Sequence, residues 1–356
     1  MQSNIWKFAI HKATIVRMYL PIMAVYLLTL PETNTKTVGT VLLIAAISSV
    51  IFEIPSGYIS DKIGHKTALA FARMMLILST TAFFIGSSVA WFVLGAILLS
   101  LGRAFLSGTN EAFMHETLTE LGRDNEYAKV MGKLSSLGNA ISIVFIIAIP
   151  FLVKISYQAA FMVPLILDVI GAIAVLSLMQ PTKTPQEIHE ISTTHFSEVF
   201  KAGLRLKIFP YMILIALIMA SVTAAEEFKE VYLLLLGVPI MYYGIFWAIS
   251  KLIVAVLLLT NQKVKNTFTF HQFLGLKLFF AIILIGALKF VMTPILIIGI
   301  VILLAAFNWC FYEAENGYLL DIIKKSPFKS TLLSFRSLLY EGGIGPIAYM
   351  MGVVAL

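Results

Sequence analysis

The sequence predicts an all-α membrane fold, a polytopic chain of about eleven spanning helices in two pseudo-symmetric bundles. Three observations lead there. Of the 356 residues, 59% are hydrophobic and only 13% are charged, more apolar surface than a soluble chain of this length can hide. Apolar runs of about 20 residues, enough to cross about 30 Å of hydrocarbon as helix, recur along the chain. The short alternating strands of a barrel do not recur, so the spans are read as helices. The third observation is a faint internal repeat at an offset of about 205 residues, the mark of two related halves. Gly39 begins a span that ends at Gly57, and Gly244 begins one that ends near Gln262. Asn110-Glu111 falls opposite Glu315-Asn316 at the same offset.

Taken in order, the first span is Ala13–Leu30. It follows a polar amino-terminal stretch with no small-residue cleavage site, so no cleavable signal peptide is expected. Val38–Ile54 and Ala68–Ser87 flank the polar gap that contains Gly57-Tyr58-Ile59-Ser60-Asp61-Lys62-Ile63-Gly64-His65-Lys66. Trp91–Phe113, Leu134–Val153 and Ala159–Met179 complete a first block, residues 1–179. Residues 180–207 break the apolar pattern with Pro181, Pro185, Glu187, Glu190 and Lys201 and read as a connector. Its later part, Phe196–Leu206, is expected as an amphipathic surface helix. Ile208–Leu236, Ile240–Thr260, Phe273–Phe290, Thr293–Tyr318 and Leu332–Val354 make up the second block, residues 208–356.

Charge sets the orientation. With the amino terminus in the cytoplasm, about sixteen lysines and arginines fall in cytoplasmic segments and about three, Lys36, Lys154 and Lys289, in outer loops, as the positive-inside rule requires. The net charge of +7 therefore follows membrane topology and does not point to nucleic acid. Cys310 is the single cysteine, so no disulfide can form within the chain. His115, His189 and His195 lack metal-ligand spacing, and no metal or cofactor is expected. There is no nucleotide loop or nucleophile constellation, so no enzyme is expected.

Ionisable groups inside spans mark candidate sites, because each costs roughly 2.5–3.5 kcal/mol at mid-helix on insertion scales. Arg103 stands near the middle of the fourth span, to contact substrate or to neutralise a carboxylate. Asp168 stands near mid-membrane in the sixth, for a proton or substrate role or for helix packing. On the seventh, Thr223, Glu226, Glu227 and Glu230 share one face. Carboxylates this close repel, which suits a proton-binding or cation-recognising site, or an outer mouth where they are solvated. Asn308, Tyr312 and Glu315 or Asn316 on the tenth are placed to line the same cavity, with Trp309 read as packing. Arg17 and Arg73 are expected to snorkel to the cytoplasmic face. Lys251 and Lys277 lie deeper, without a nameable partner.

The polar gap resembles the signature between the second and third helices of the major facilitator superfamily. Gly57, Asp61, Lys62, Gly64 and Lys66 match it, and His65 stands where a second basic residue is usual. The glycines let two helix ends turn and pack closely. The resemblance implies that Asp61 meets the positive amino-terminal end of the eleventh helix, here beginning near Ser330. It also implies that Lys62 and Lys66 pair with carboxylates at the end of the fourth, among Glu111, Glu116 and Glu120, forming a conformational latch between halves. The segment Gly102–Ala112, with Asn110 and Glu111, looks like the fourth helix of bacterial drug-efflux members, with Gly108 one place late. The Gly-Pro pair of the antiporter signature is replaced in the fifth helix by Leu137-Gly138-Asn139-Ala140, and a similar run, Gly342 through Gly352, stands in the eleventh. The family plan has twelve helices, so the twelfth is missing from this reading.

The resemblance implies secondary transport of a small-molecule substrate by alternating access, with protons as the coupling ion, by a monomer in the lipid bilayer of a bacterial inner membrane. Efflux of amphipathic or drug-like compounds is the leading version. Nutrient uptake (a sugar, nucleoside or organic acid) is the alternative. A non-transporting sensor or scaffold is the reading from another class, favoured by the missing twelfth helix and by the degenerate second-half loop Asn261-Gln262-Lys263-Val264-Lys265-Asn266.

Overall fold

The computed structural model describes residues 1–15, 17, 19, 23, 26–31, 33–226, 237, 243–290 and 293–355. Among them there is no strand. The helices of the first half are α1 (Gln2–Ala13), α2 (Thr35–Ile63), α3 (His65–Ile85), α4 (Val89–Leu106), α5 (Thr109–Glu120), α6 (Tyr127–Ile155) and α7 (Tyr157–Leu176). Two short helices follow, α8 (Pro185–Thr193) and α9 (Phe196–Arg205). Then come α10 (Phe209–Glu226), α11 (Tyr243–Leu258), α12 (Asn261–Thr267), α13 (Phe270–Phe290), α14 (Pro294–Cys310), α15 (Tyr312–Ile322) and α16 (Lys329–Ala355).

Seven spans among the described residues are long and apolar enough to cross a membrane, and an eighth is added if α11 and α12, bent by 53°, count as one. Parts of the expected first span Ala13–Leu30, seventh span Ile208–Leu236 and eighth span Ile240–Thr260 lie outside the described residues. The outward faces are apolar: Ile147, Ile173, Phe279 and Leu296 are each more than half exposed, as a lipid-facing surface requires.

Local sequence accounts for the ends. Asn34 caps α2 by accepting from the Thr37 N–H, while Thr37 returns a bond to the Asn34 N–H. Thr184 and Glu187 close the same box at α8. Gly64 separates α2 from α3 at φ +89°, a conformation that an L side chain resists. The expected surface helix is present as α9. Its Phe196 and Phe200 meet Phe335 of α16, so it docks on the bundle through aromatic contacts.

Two features depart from the sequence reading. The polar stretch before the first span is itself helical, as α1, with Asn4, Phe8 and His11 buried. The fourth and tenth spans are each broken, at Ser107–Gly108 and at Phe311. The breaks stand at corresponding places in the two halves. Each opens a new helix with acid in its first turn, Glu111 on α5 and Glu313 with Glu315 on α15, where the positive end of the helix dipole favours it.

In the first half α3 packs on α4 and α7, around an aromatic cluster of Tyr19, Phe83, Phe92 and Phe161. In the second half α10 packs on α14 and α16, and α11 on α14. Two seams join them: α2 against α16, and α6 against α11.

Candidate functional site

Both seams are fastened at one end of the molecule, the loop face that carries Asp61–Lys66 and Asn261–Asn266. Asp61 is buried at the end of α2. Its carboxylate accepts from the Ser330 N–H (3.1 Å), the Thr331 N–H (2.8 Å) and the Thr331 hydroxyl (2.6 Å), the free donors of the first turn of α16. One turn earlier, Gly57 lies so close to α16 that an added Cβ would stand 2.5 Å from the Ser334 hydroxyl oxygen.

The second seam mirrors the first with neutral chemistry. The Gln262 side chain accepts from the Lys129 N–H (3.0 Å) in the first turn of α6 and donates to the Asn125 carbonyl (3.1 Å). Ser136 donates to the Ala255 carbonyl (2.6 Å), and a Cβ on Gly132 would collide with the Leu258 carbonyl. Lys324 and Asp124 add an exposed ion pair between the halves. The Lys324 ammonium holds the Asp124 carboxyl below its ordinary range. Asn261–Asn266 looks degenerate beside its counterpart, yet it does the corresponding work, because an amide can cap a helix end without charge.

The basic residues of the loop act differently from expectation. Neither Lys62 nor Lys66 takes the carboxylates of α5. The Lys62 ammonium donates to the Ser192 carbonyl (3.2 Å) and lies over the Tyr58 ring, and Lys66 gives its backbone N–H to Gln180. His65 meets the acids instead, one ring nitrogen 3.0 Å from Asp61 and the other 2.8 Å from Glu116. The reason is register: His65 opens α3 on its buried side, between α2 and α5, and Lys66 is rotated away by one residue. Lys183 approaches Glu116 at 4.0 Å, and Glu120 accepts from the Thr182 N–H.

Each half also has a buried charge cluster, and these contain several residues expected in a cavity. Asp168 is fully buried, accepting from Arg17 (2.8 Å), Arg73 (3.2 Å) and Thr80 (3.0 Å). Arg73 is fully buried as well, bonded to His11 and Thr14, and so does not snorkel. Asn110 accepts through its side-chain oxygen from the His11 ring nitrogen Nε2 at 2.9 Å. In the second half Glu315 is paired with Lys277 and with Arg336, which also reaches Asn316 and Tyr312. Asp168 and Glu315 are therefore packed counter-ions and do not line the cavity. A charge at this depth is tolerable only with a partner, and each has two.

A cavity of about 280 Å³ lies where the halves face each other, lined by Lys12, Ile15, Ser135, Gly138, Asn139, Ser142, Lys251, Leu258, Trp309, Tyr312 and Glu313. Of the expected residues it includes Tyr312. Glu313 accepts from Ser135 and stands 3.9 Å from Lys12, and its second oxygen is buried without a partner among the described residues. Asn308 is turned to the Met219 carbonyl (3.0 Å) and Thr223 (2.9 Å). Glu111 is buried, also with an unpartnered oxygen. Glu226 ends α10 and acts on Lys251 through its charge. Glu227 and Glu230 lie outside the described residues. Arg103 is exposed, and its charge acts on Glu53 of α2. Sequence reasoning missed Glu53, Glu313, Lys12 and Gln262. An acid inside the apolar run Val38–Ile54 was signal enough for Glu53. Nothing in the sequence singles out Gln262.

The model of the Major Facilitator Superfamily matches residues 13–332. An uncharacterized MFS-type transporter of Bacillus subtilis, YxaM, is 22% identical over 280 residues, covering 77% of this chain and 69% of that protein. An uncharacterized transporter of Buchnera aphidicola subsp. Acyrthosiphon pisum is 30% identical over 137 residues, 37% of this chain. The match spans about a third of the length of that relative and of a second from Buchnera aphidicola subsp. Baizongia pistaciae, 31% and 32% respectively for the second and the first. Among solved structures, the E. coli fucose:proton symporter FucP superposes with a TM-score of 0.76 at 15% identity, covering 99% of this chain and 91% of that one. A bacterial homologue of the iron transporter ferroportin, outward-facing, gives 0.69 at 12% identity, covering 100% and 92%. At these identities the structural likeness is one of fold.

Proposed function

The chain belongs to the major facilitator superfamily of membrane transporters, and from that premise we propose that it moves a small polar solute by alternating access, coupled to protons. The observation that carries this reading is the cavity between the halves. Its lysines, hydroxyls, amide and acid suit a solute that is itself charged or rich in hydrogen-bonding groups. Its volume suits a compact molecule. The fourth-helix resemblance supports efflux of amphipathic compounds as the second reading, but a bulky apolar cargo would leave these polar groups unpaired, at roughly 1–3 kcal/mol each. A proton-linked symporter among the structural neighbours supports the coupling.

The rocking units are residues 1–179 and 208–356, tied by the 180–207 connector. The positive-inside rule assigns the loop face to the cytoplasm of a bacterial inner membrane. With both seams fastened there, the solute path faces outward. One chain holds both seams and the cavity, so the working unit is a monomer.

The test uses proteoliposomes with a trapped pH indicator and an imposed pH gradient, challenged in turn with a hexose, a nucleoside, a small organic acid and tetraphenylphosphonium. One of the polar solutes should move protons and the lipophilic cation should not. Proton movement with tetraphenylphosphonium alone would overturn the polar-solute reading.

A further inference from the structure

Three residues of α2 form a stripe at helical spacing, Glu53, Gly57 and Asp61, and all three face α16. Asp61 is bonded to the end of α16 and Gly57 is in contact with it. Glu53 is different. It is 4% exposed, and one carboxylate oxygen is buried with no partner among the described residues. The hydroxyls of Ser107, at the end of α4, and Ser337 on α16 lie beside the Glu53 carboxyl and are bonded to each other at 2.9 Å. The charged groups that act on it are Arg103 of α4, which is exposed, and Glu341 of α16, which carries the same sign.

An ionised carboxylate in this position is poorly matched, with half of its acceptor capacity unused and a second acid nearby. A neutral carboxylic acid fits better, since its O–H can donate to a serine hydroxyl. The seam itself is loosely satisfied, because the Ser330 and Ser334 hydroxyl oxygens also lack partners. Parting α2 from α16 would give Glu53 to water, where the ion is favoured.

We propose that Glu53 is a proton-binding site that sets the α2–α16 seam, protonated when the loop face is closed and ionised when it opens. The proton and the conformation are then linked: acid closes the seam and base releases it, by at most about tenfold in the closed-to-open ratio per pH unit for one proton. This rests on the rocking of the two halves proposed above, but requires no knowledge of the solute.

The experiment places nitroxide labels at Asn125→Cys and Lys325→Cys, on loops of opposite halves, in a Cys310→Ala background, and measures their distance in nanodiscs from pH 5 to pH 8. In the otherwise native chain the short-distance population should rise as pH falls. Glu53→Gln, isosteric with the neutral acid, should stay short at every pH, while Glu341→Gln should keep the pH response. Glu53→Asp, which retains an acid, should also keep it, with a shifted midpoint. A native-like pH response in Glu53→Gln, or its loss in Glu53→Asp, would overturn the assignment to Glu53 alone. One unchanging distance in every variant would instead remove the rocking motion and the assignment with it.

Discussion

Asp61→Asn should open the loop face. The carboxylate accepts three hydrogen bonds from the first turn of α16 and meets His65, and both residues are buried. Asparagine keeps one acceptor and loses the charge that matches the helix end and the His65 ring. Hydrogen bonds to a charged group are worth about 1.5–3 kcal/mol, so the closed state should lose roughly 2–4 kcal/mol against the open one. That corresponds to a shift of about 30-fold or more in their ratio. Ser334 offers the readout, being fully buried in the seam. A cysteine placed there in the Cys310→Ala background should be alkylated from the loop face at least about 30-fold faster in Asp61→Asn than in the native sequence. An unchanged rate would show that the seam is held by apolar packing.

The second large effect is expected at Asp168, in stability and not in coupling. Asp168→Asn leaves Arg73 and Arg17 buried without their counter-ion. Removing one partner of a buried ion pair costs about 3–5 kcal/mol. The thermal transition in detergent should fall steeply, and the double variant Arg73→Gln with Asp168→Asn should recover much of the loss, since the interaction energy is shared. A variant that kept native stability and lost only its pH-dependent transport would return Asp168 to the proton path.

The sequence made some of this legible and hid the rest for physical reasons. Seven of the expected spans coincide with helices long and apolar enough to cross a membrane, and they were readable because lipid demands long apolar runs. The Asp61 loop was readable because a glycine turn, an acid and flanking basic residues rarely coincide. The partners of Asp61 lie about 270 residues away in sequence, and only the family resemblance pointed to Ser330. Register decided the next level: Lys66 and His65 are adjacent and equally able to meet Glu116, and the helical phase of α3 gives the contact to His65. The buried clusters were hidden because a lone acid in a span looks the same whether it awaits a proton or already holds two arginines. Helix breaks at Gly108 and Phe311 were also hidden, since hydropathy continues through them. Gln262 carries no charge to mark it in the sequence, and the seam it fastens needs only an amide.

The central claim is that the two halves must part at the loop face for solute to pass. Ser107, at the end of α4, and Ser337 of α16 approach across the boundary between the halves, beside the α2–α16 seam, with their hydroxyl oxygens 2.9 Å apart. Replacing both with cysteine in the Cys310→Ala background and oxidising the pair should stop solute-linked proton flux in proteoliposomes, and a reductant should restore it. Full flux with the disulfide formed would contradict the account.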